Sequence, residues 1–294
     1  MTTRRRLSIV LLLIAIVAGT AAARPRAVTP LTLGGYRVFS ADFHVHSATW
    51  SDGTLTPAGV LFEARRQGLD VIAITGHNQV QDGQLGRWLS THIGGPTVLP
   101  GEELHTPNHH LIAVGIEHYV DWRLPIGAQI DEIHRQGGLA IAAHPFARYG
   151  PRFDDDSVAK LDGSEMCHPA VYWRATGGRD LERFAARAPH TLAAIGSSDF
   201  HGTGRIGLCR TYVFARDASA PAILDALRAR RTVVYGESGE AYGDPALVAL
   251  AAAHPELRDV AIFDEPAGWL EWVSRVCGVL GLIGLIVTVT PART

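Results

Sequence analysis

The sequence predicts an α/β fold, with helices laid over a parallel sheet or barrel. From residue 36 to 236, short apolar runs alternate with amphipathic stretches, the pattern of repeated strand–helix units. Helix signals punctuate it: Thr56 and Pro57 offer an N-cap and a first-turn proline, and Gly68 and Gly137 stop two helical stretches. Six apolar runs end in His, Asp or Glu. In a parallel barrel such ends share one rim, where active sites are built.

The expected strands are 37–45, 70–75, 97–104, 110–116, 139–143, 163–167, 192–196 and 211–215. The expected helices are 56–68, 126–137, 178–188 and 220–229. Residues 24–35, rich in Pro, Gly and Thr, read as a linker, and 36–236 as the folded body. Residues 237–268 read as an extension, an extended loop and then a short helix from Pro245 to His254. It either covers a barrel end or links onward.

Both ends of the chain are apolar. Arg4, Arg5 and Arg6 precede an uncharged run from Leu7 to Ala23, so residues 1–23 read as a signal peptide or a membrane anchor, with a twin-arginine signal also open. Val276 to Ala292 carries no charge and follows Trp269 and Trp272, so 269–292 reads as a transmembrane helix with interfacial tryptophans. Lys/Arg asymmetry then places the body outside the cytoplasm, on the periplasmic or extracellular side.

Composition narrows the function. At 47% hydrophobic and 19% charged residues the chain can bury a sizeable core. A net charge of −2 gives no electrostatic case for nucleic-acid binding. Three Cys do not make a disulfide framework; Cys167 reads as a small buried residue, and Cys209 and Cys277 as core or membrane residues. Histidine is the outlier: of 14, 13 lie between His44 and His201.

These histidines fall at strand ends. His44 and His46 sit two apart, on one face of a strand, and Asp52 can return to that face from the next loop. His77, Glu102 and Glu103, His144, and Cys167 with His168 end later strands. Asp199 and His201 repeat the two-residue spacing in a Gly/Ser loop. Mixed imidazole and carboxylate donors suit Zn, Mn or Fe better than Ca, and their number implies two or three ions. Arg148 and Arg205, each four residues past a strand-end His, are placed to pair with a phosphate, although a solvated loop charge explains either equally well. His105 and His109 could line the cleft. His92, His118, His134, His190 and His254 read as surface residues.

The ordered segments FHVHSATWSDGTLTP, GLDVIAITGHN, VLPGEELHTPNHHLIAVG, GGLAIAAHPF and IGSSDFHG resemble the PHP (polymerase and histidinol phosphatase) family of metal-dependent phosphoesterases, from about Tyr36 to Tyr235. The resemblance implies a distorted seven-stranded (βα) barrel with three metals. It implies His44, His46, Glu103 and Asp199 on one ion, and Asp52, His77 and His201 on a second. A third would take a bridging Glu103, His144 and either His110 or His168. The chain departs from the family at Thr75-Gly76-His77, where the family usually reads Thr-Asp-His. The missing carboxylate would weaken the support of a ligand.

The expected activity is hydrolysis of a small phosphorylated substrate, nucleotides among the candidates, by metal-activated hydroxide, with Asp199 or a cleft His relaying protons. Two alternatives stay open: amidohydrolase-like cleavage of a non-phosphate bond, and a membrane-anchored binding or signalling module with weak turnover. A polymerase-associated role is not expected, because no polymerase region or basic groove is present.

Overall fold

A computed structural model describes residues 2–23, 30–146, 148–172, 176–188, 192–202, 204–236, 238–258 and 268–289. In chain order the elements are α1 (Thr3–Ala22), β1 (Leu31–Leu33), β2 (Tyr36–Val45), α2 (Pro57–Arg66), β3 (Val71–Ile74), α3 (Gln81–Ile93), β4 (Thr97–His105), β5 (His110–Val114), α4 (Ile126–Arg135) and β6 (Leu139–Ala142). They continue with α5 (Asp155–Lys160), β7 (Gly163–Cys167), α6 (Gly177–Ala185), β8 (Ala193–Gly196), β9 (Thr211–Ala215), α7 (Ala220–Arg228), β10 (Thr232–Tyr235), β11 (Ala241–Gly243), α8 (Pro245–Ala251), α9 (Pro255–Arg258) and α10 (Trp269–Val289).

The strands form one curled sheet in the order β11-β10-β9-β2-β3-β4-β5-β6-β7-β8, with β1 paired to β2 outside that path. The two sides of the curl meet where the Thr211 hydroxyl of β9 accepts the Gly196 N–H and donates to the Gly196 carbonyl of β8, each at 2.9 Å. Gly196 permits this approach, since a Cβ there would stand 2.8 Å from the Arg210 carbonyl oxygen. The result is a nearly closed barrel.

The sheet is mixed, with eleven strands rather than seven. Pairs β2–β3, β3–β4, β6–β7 and β7–β8 are parallel. Pairs β4–β5, β5–β6, β2–β9 and β9–β10 are antiparallel. The four residues between His105 and His110 are too few for a parallel crossover, which needs a dozen or more, so β4 and β5 form a hairpin. Consequently His110 starts its strand, yet shares a rim with the end of β4.

The barrel interior is apolar, drawn from Phe39, Ala41 and Phe43 of β2, Ala73 of β3, Ile141 of β6 and Ile195 of β8, with Ile223 and Leu227 of α7 packed into it. Outside, α2 and α3 cover β3 and β4. Helix α3 was absent from the expected elements because Gly83 and Gly86 weaken its helical pattern. Those glycines let it lie close: a Cβ would meet Pro100 Cα at 2.7 Å from Gly83, and Ile74 Cδ1 at 2.4 Å from Gly86. Beyond the barrel, β11 pairs with β10, and α8 buries Leu247 and Ala251 against Phe214 and Val233.

Helices α1 and α10 pack side by side through small residues. A Cβ on Gly281 would meet the Ser8 carbonyl oxygen at 2.9 Å, and the Ser274 hydroxyl donates to the Ala15 carbonyl at 2.7 Å. Both are long and apolar enough to cross a membrane. Their outer faces expose Leu7, Val17, Leu280 and Ile283. The 269–292 span is described as far as Val289; residues 259–267 of the extension lie outside the described residues, as does His190.

Candidate metal centre

The rim opposite α7 gathers eight His and two further carboxylates, Asp52 and Asp199, around Glu103. One Glu103 oxygen lies 3.2 Å from His44 Nε2, 3.4 Å from His46 Nε2 and 2.8 Å from His77 Nε2. The other lies 2.7 Å from His110 Nδ1 and 3.3 Å from His144 Nε2. Asp199 Oδ1 stands 3.2 Å from both His44 Nε2 and His46 Nε2, and its Oδ2 is 3.4 Å from His168 Nε2. Asp52 reaches His46, His77 and His201 at 3.3–3.5 Å. Donor atoms within 4.8 Å of one another form overlapping groups: His44, His46, Glu103 and Asp199; His46, Asp52, His77 and His201; Glu103, His110 and His144; and His144, His168 and Asp199. A further group joins His105 to His77 and Glu103.

This donor set fits divalent cations. His44 Nε2, His46 Nε2 and Asp199 Oδ1 are buried and converge in one group, where they approach one another and Glu103 at 3.2–3.4 Å without a well-formed hydrogen bond. Leaving buried polar atoms unpaired is costly unless something else satisfies them. His44, His46 and Glu103 are at most 1% exposed, and imidazole nitrogens with carboxylate oxygens are the usual donors for Zn, Mn or Fe.

The charges are mutually dependent. Burial works against a charged His44 ring, but Asp199 and Glu103 outweigh it and hold its pKa well above the ordinary imidazole value. Burial alone would raise Glu103; His44, with hydrogen bonds from His110 and His144, instead holds it well below the usual carboxylate range. Asp199 is lowered in the same way against burial, by His44, His168 and His46. A hydrogen bond from His46 does the same for Asp52.

Two buried carboxylates that the sequence did not single out organise these side chains. Glu165 of β7 takes His44 Nδ1 at 2.9 Å on one oxygen and the His144 N–H at 2.6 Å on the other. Asp42 of β2 accepts the His44 and Ser198 N–H groups at 3.2 and 3.1 Å, and the Gly207 N–H at 2.8 Å. It also takes the Ser198 hydroxyl, and so anchors the loop that carries Asp199 and His201. His201 Nδ1 donates to the Asp199 carbonyl at 2.8 Å, which leaves Nε2 to face Asp52. Three of the four non-glycine residues with positive φ among the described residues are Asn78, His144 and Asp199. Such backbone is costly and persists where the surroundings enforce it, commonly at functional sites.

The remaining expected residues divide. His105 Nδ1 lies 3.2 Å from His77 Nε2, at the edge of the cluster. His109 is instead structural, bonded to Gln129 at 2.9 Å. Arg148 is exposed and lies over Tyr149, whose ring stacks on His110 at 4.6 Å between centroids. Arg205 is exposed on the loop after His201. Glu102 points away from the centre and accepts the Val120 N–H at 2.6 Å. Cys167 and Cys209 are joined as a disulfide between the end of β7 and the loop before β9, a pairing not foreseen from three scattered Cys.

At Gly76 the place of the family's Asp is filled. A Cβ there would lie 2.1 Å from Gln79 Nε2, 2.8 Å from Ser51 Cβ and 3.2 Å from Asp82 Oδ2. Gln79 donates to Asp82 at 3.1 Å, so a carboxylate from α3 reaches the same space by another route. Ser51 accepts the His77 N–H at 3.0 Å and donates to Asp52 at 3.0 Å, joining the two ligand-bearing loops.

A nearly closed α/β barrel with a His-rich, carboxylate-bridged centre on one rim defines a class of metal-binding folds. The PHP-associated family model matches residues 182–232. An uncharacterized protein of Methanocaldococcus jannaschii is 31% identical over 141 residues, covering 43% of this chain and 80% of that protein. A two-domain protein of Bacteroides vulgatus, containing a predicted PHP-like metal-dependent phosphoesterase, superposes with a TM-score of 0.62 at 22% identity, over 78% of this chain and 74% of its own. An amidohydrolase of Chromobacterium violaceum reaches a TM-score of 0.47 at 19% identity over 65% of this chain and 96% of its own, too distant to carry an argument. The chain belongs to the PHP family.

Proposed function

We propose that the protein hydrolyses a phosphoester at the Glu103 centre with two or three divalent ions, Zn, Mn or Fe. The observation that carries this is the Glu103 carboxylate, buried between five imidazoles and next to His44 Nε2 and His46 Nε2, buried nitrogens that make no well-formed hydrogen bond. Metal ions bound there would acidify water and neutralise the equatorial oxygens of a phosphoryl group. His44, His46, Glu103 and Asp199 would hold one ion, and Asp52, His77 and His201 a second. Glu103 and His144, with His110 or His168, would hold a third. Glu165 and Asp42 fix the ring and loop orientations, so the donors need not rearrange when charge develops. Asp199, 24% exposed, is the ligand carboxylate placed to pass a proton to the leaving oxygen. Arg148 and Arg205, exposed on the loops after His144 and His201, would be the cations that pair with the phosphate. The substrate is a small phosphorylated molecule.

The same reading places the protein at a membrane, facing an exported compartment. Two apolar helices with exposed outer faces support anchoring, and a disulfide supports an oxidising environment. The test is phosphate release from a panel of sugar phosphates, nucleotides and phosphodiesters by metal-loaded protein. Absence of release from protein shown to hold its metals would sink the hydrolase reading.

A further inference from the structure

Helix α3 begins with a buried carboxylate. Asp82, in its first turn, has no exposed surface, and carboxylates are seldom fully buried unless something holds them. Part of its setting is ordinary helix capping: Gln79 Nε2 donates to Asp82 Oδ2 at 3.1 Å, and the Asp82 N–H donates to Gln79 Oε1 at 3.0 Å. The rest of its setting comes from another part of the chain. The Ser47 and Thr49 hydroxyls and the Trp50 N–H face the same carboxylate more loosely, with Oδ1 making no well-formed hydrogen bond.

Both segments that meet at Asp82 carry residues of the metal centre. Ser47 follows His46, and the loop it opens leads to Asp52. Gln79 is two residues past His77, on the turn after β3. Asp52, His77 and His201 share one donor group with His46. The Asp52 side chain is 54% exposed, so core packing does not place it; the loop that carries it must be held instead. The Asp82 carboxylate also stands where an aspartate at position 76 would put its own, with Oδ2 3.2 Å from the position of a Cβ on Gly76.

We propose that Asp82 is the positioning residue of the Asp52–His77–His201 ion site, standing in from α3 for the carboxylate that the chain lacks at Gly76. It ties the Asp52 loop to the His77 turn, much as Asp42 ties the Asp199 loop to β2. This role rests on the metal-centre reading and not on the reaction performed there. A plain helix cap behaves differently under substitution. Asn caps a helix as well as Asp does, so Asp82→Asn spares a cap, but it removes one of the two acceptor oxygens that join the loops.

The experiment counts ions in the full-length protein by Co²⁺ titration, read from the visible d–d bands and from competition with a chromophoric chelator. His201→Ala marks the ion in question. Asp82→Asn should weaken that ion about 10- to 100-fold, leave the others at parent affinity, and add nothing further to His201→Ala. Gln79→Ala with Asp82→Ala should weaken it likewise. Adding Gly76→Asp to that pair, where space has been cleared, should restore the affinity. Parent-like binding by Asp82→Asn, or an equal loss at every ion together with a lower melting temperature, overturns the proposal and leaves Asp82 a helix cap. A triple variant that folds but binds no better than the double overturns the stand-in role. Because no substrate is present, a failure to release phosphate would sink the hydrolase and leave this result standing. A parent with no ion sensitive to His201→Ala would overturn the site itself.

Discussion

Glu165 holds His44 by its Nδ1 at 2.9 Å, and with its second oxygen it holds the backbone N–H of His144 at 2.6 Å. One buried carboxylate thus fixes two rim histidines from strands on different sides of β7, and turns His44 Nε2 toward Glu103 and Asp199. Glu165→Gln keeps only one acceptor, so it can satisfy His44 or His144 but not both. Metal affinity should fall about 10- to 100-fold, the usual cost of losing such support, while the fold persists. Competition against a chromophoric chelator measures the first effect, and circular dichroism checks the second.

The filled space at Gly76 makes a prediction opposite to the family pattern. Gly76→Asp would drive its Cβ into Gln79 and Ser51, and add a carboxylate beside Asp82. Overpacking of this kind costs about 1–3 kcal/mol. The melting temperature should drop, and adding Gln79→Ala should recover part of it. Improved metal binding by the single variant would refute this account of the site.

Burial pushes the Glu102 carboxyl up to about 8. Its unfolded value is about 4.3, so between those pH values the folded state binds more protons than the unfolded one. Glu102 therefore lowers stability progressively as pH rises from about 4 to about 8, with no further loss above. Glu102→Gln removes that slope. Its melting temperature should match the parent near pH 5 and exceed it near pH 8.5. Identical slopes for the two proteins would exclude a raised Glu102.

The Cys167–Cys209 disulfide spans 42 residues and encloses the Asp199 loop. Loop-closure entropy for that length is worth roughly 3–4 kcal/mol. Cys167→Ala with Cys209→Ala should lower stability by about that amount in denaturant titrations. Reductant should destabilise the parent and leave the double variant unchanged. A reductant-insensitive parent would show that the bridge does not form.

The rim was legible in the sequence to the extent that its residues follow strand ends. His44, His46, His77, Glu103, His144 and Asp199 sit where an apolar run stops, and that periodicity is local. Glu165 and Asp42 were not legible, because what they hold is remote in sequence: only the barrel's curvature brings Glu165 to His44, 121 residues away, and Asp42 to Ser198, 156 residues away. The β4–β5 hairpin and the disulfide likewise depend on which strands become neighbours. Helix α3 escaped because its glycines serve close packing, which tertiary contact rewards and helix propensity penalises.

The most direct measurement is phosphate release by the full-length, metal-loaded protein beside His44→Ala with His46→Ala, with bound metal counted in both. The account predicts turnover in the parent, and loss of both turnover and at least one ion in the double variant. Undiminished release by the double variant would contradict a catalytic centre at Glu103, and a fully metal-loaded parent with no release would contradict the hydrolase itself.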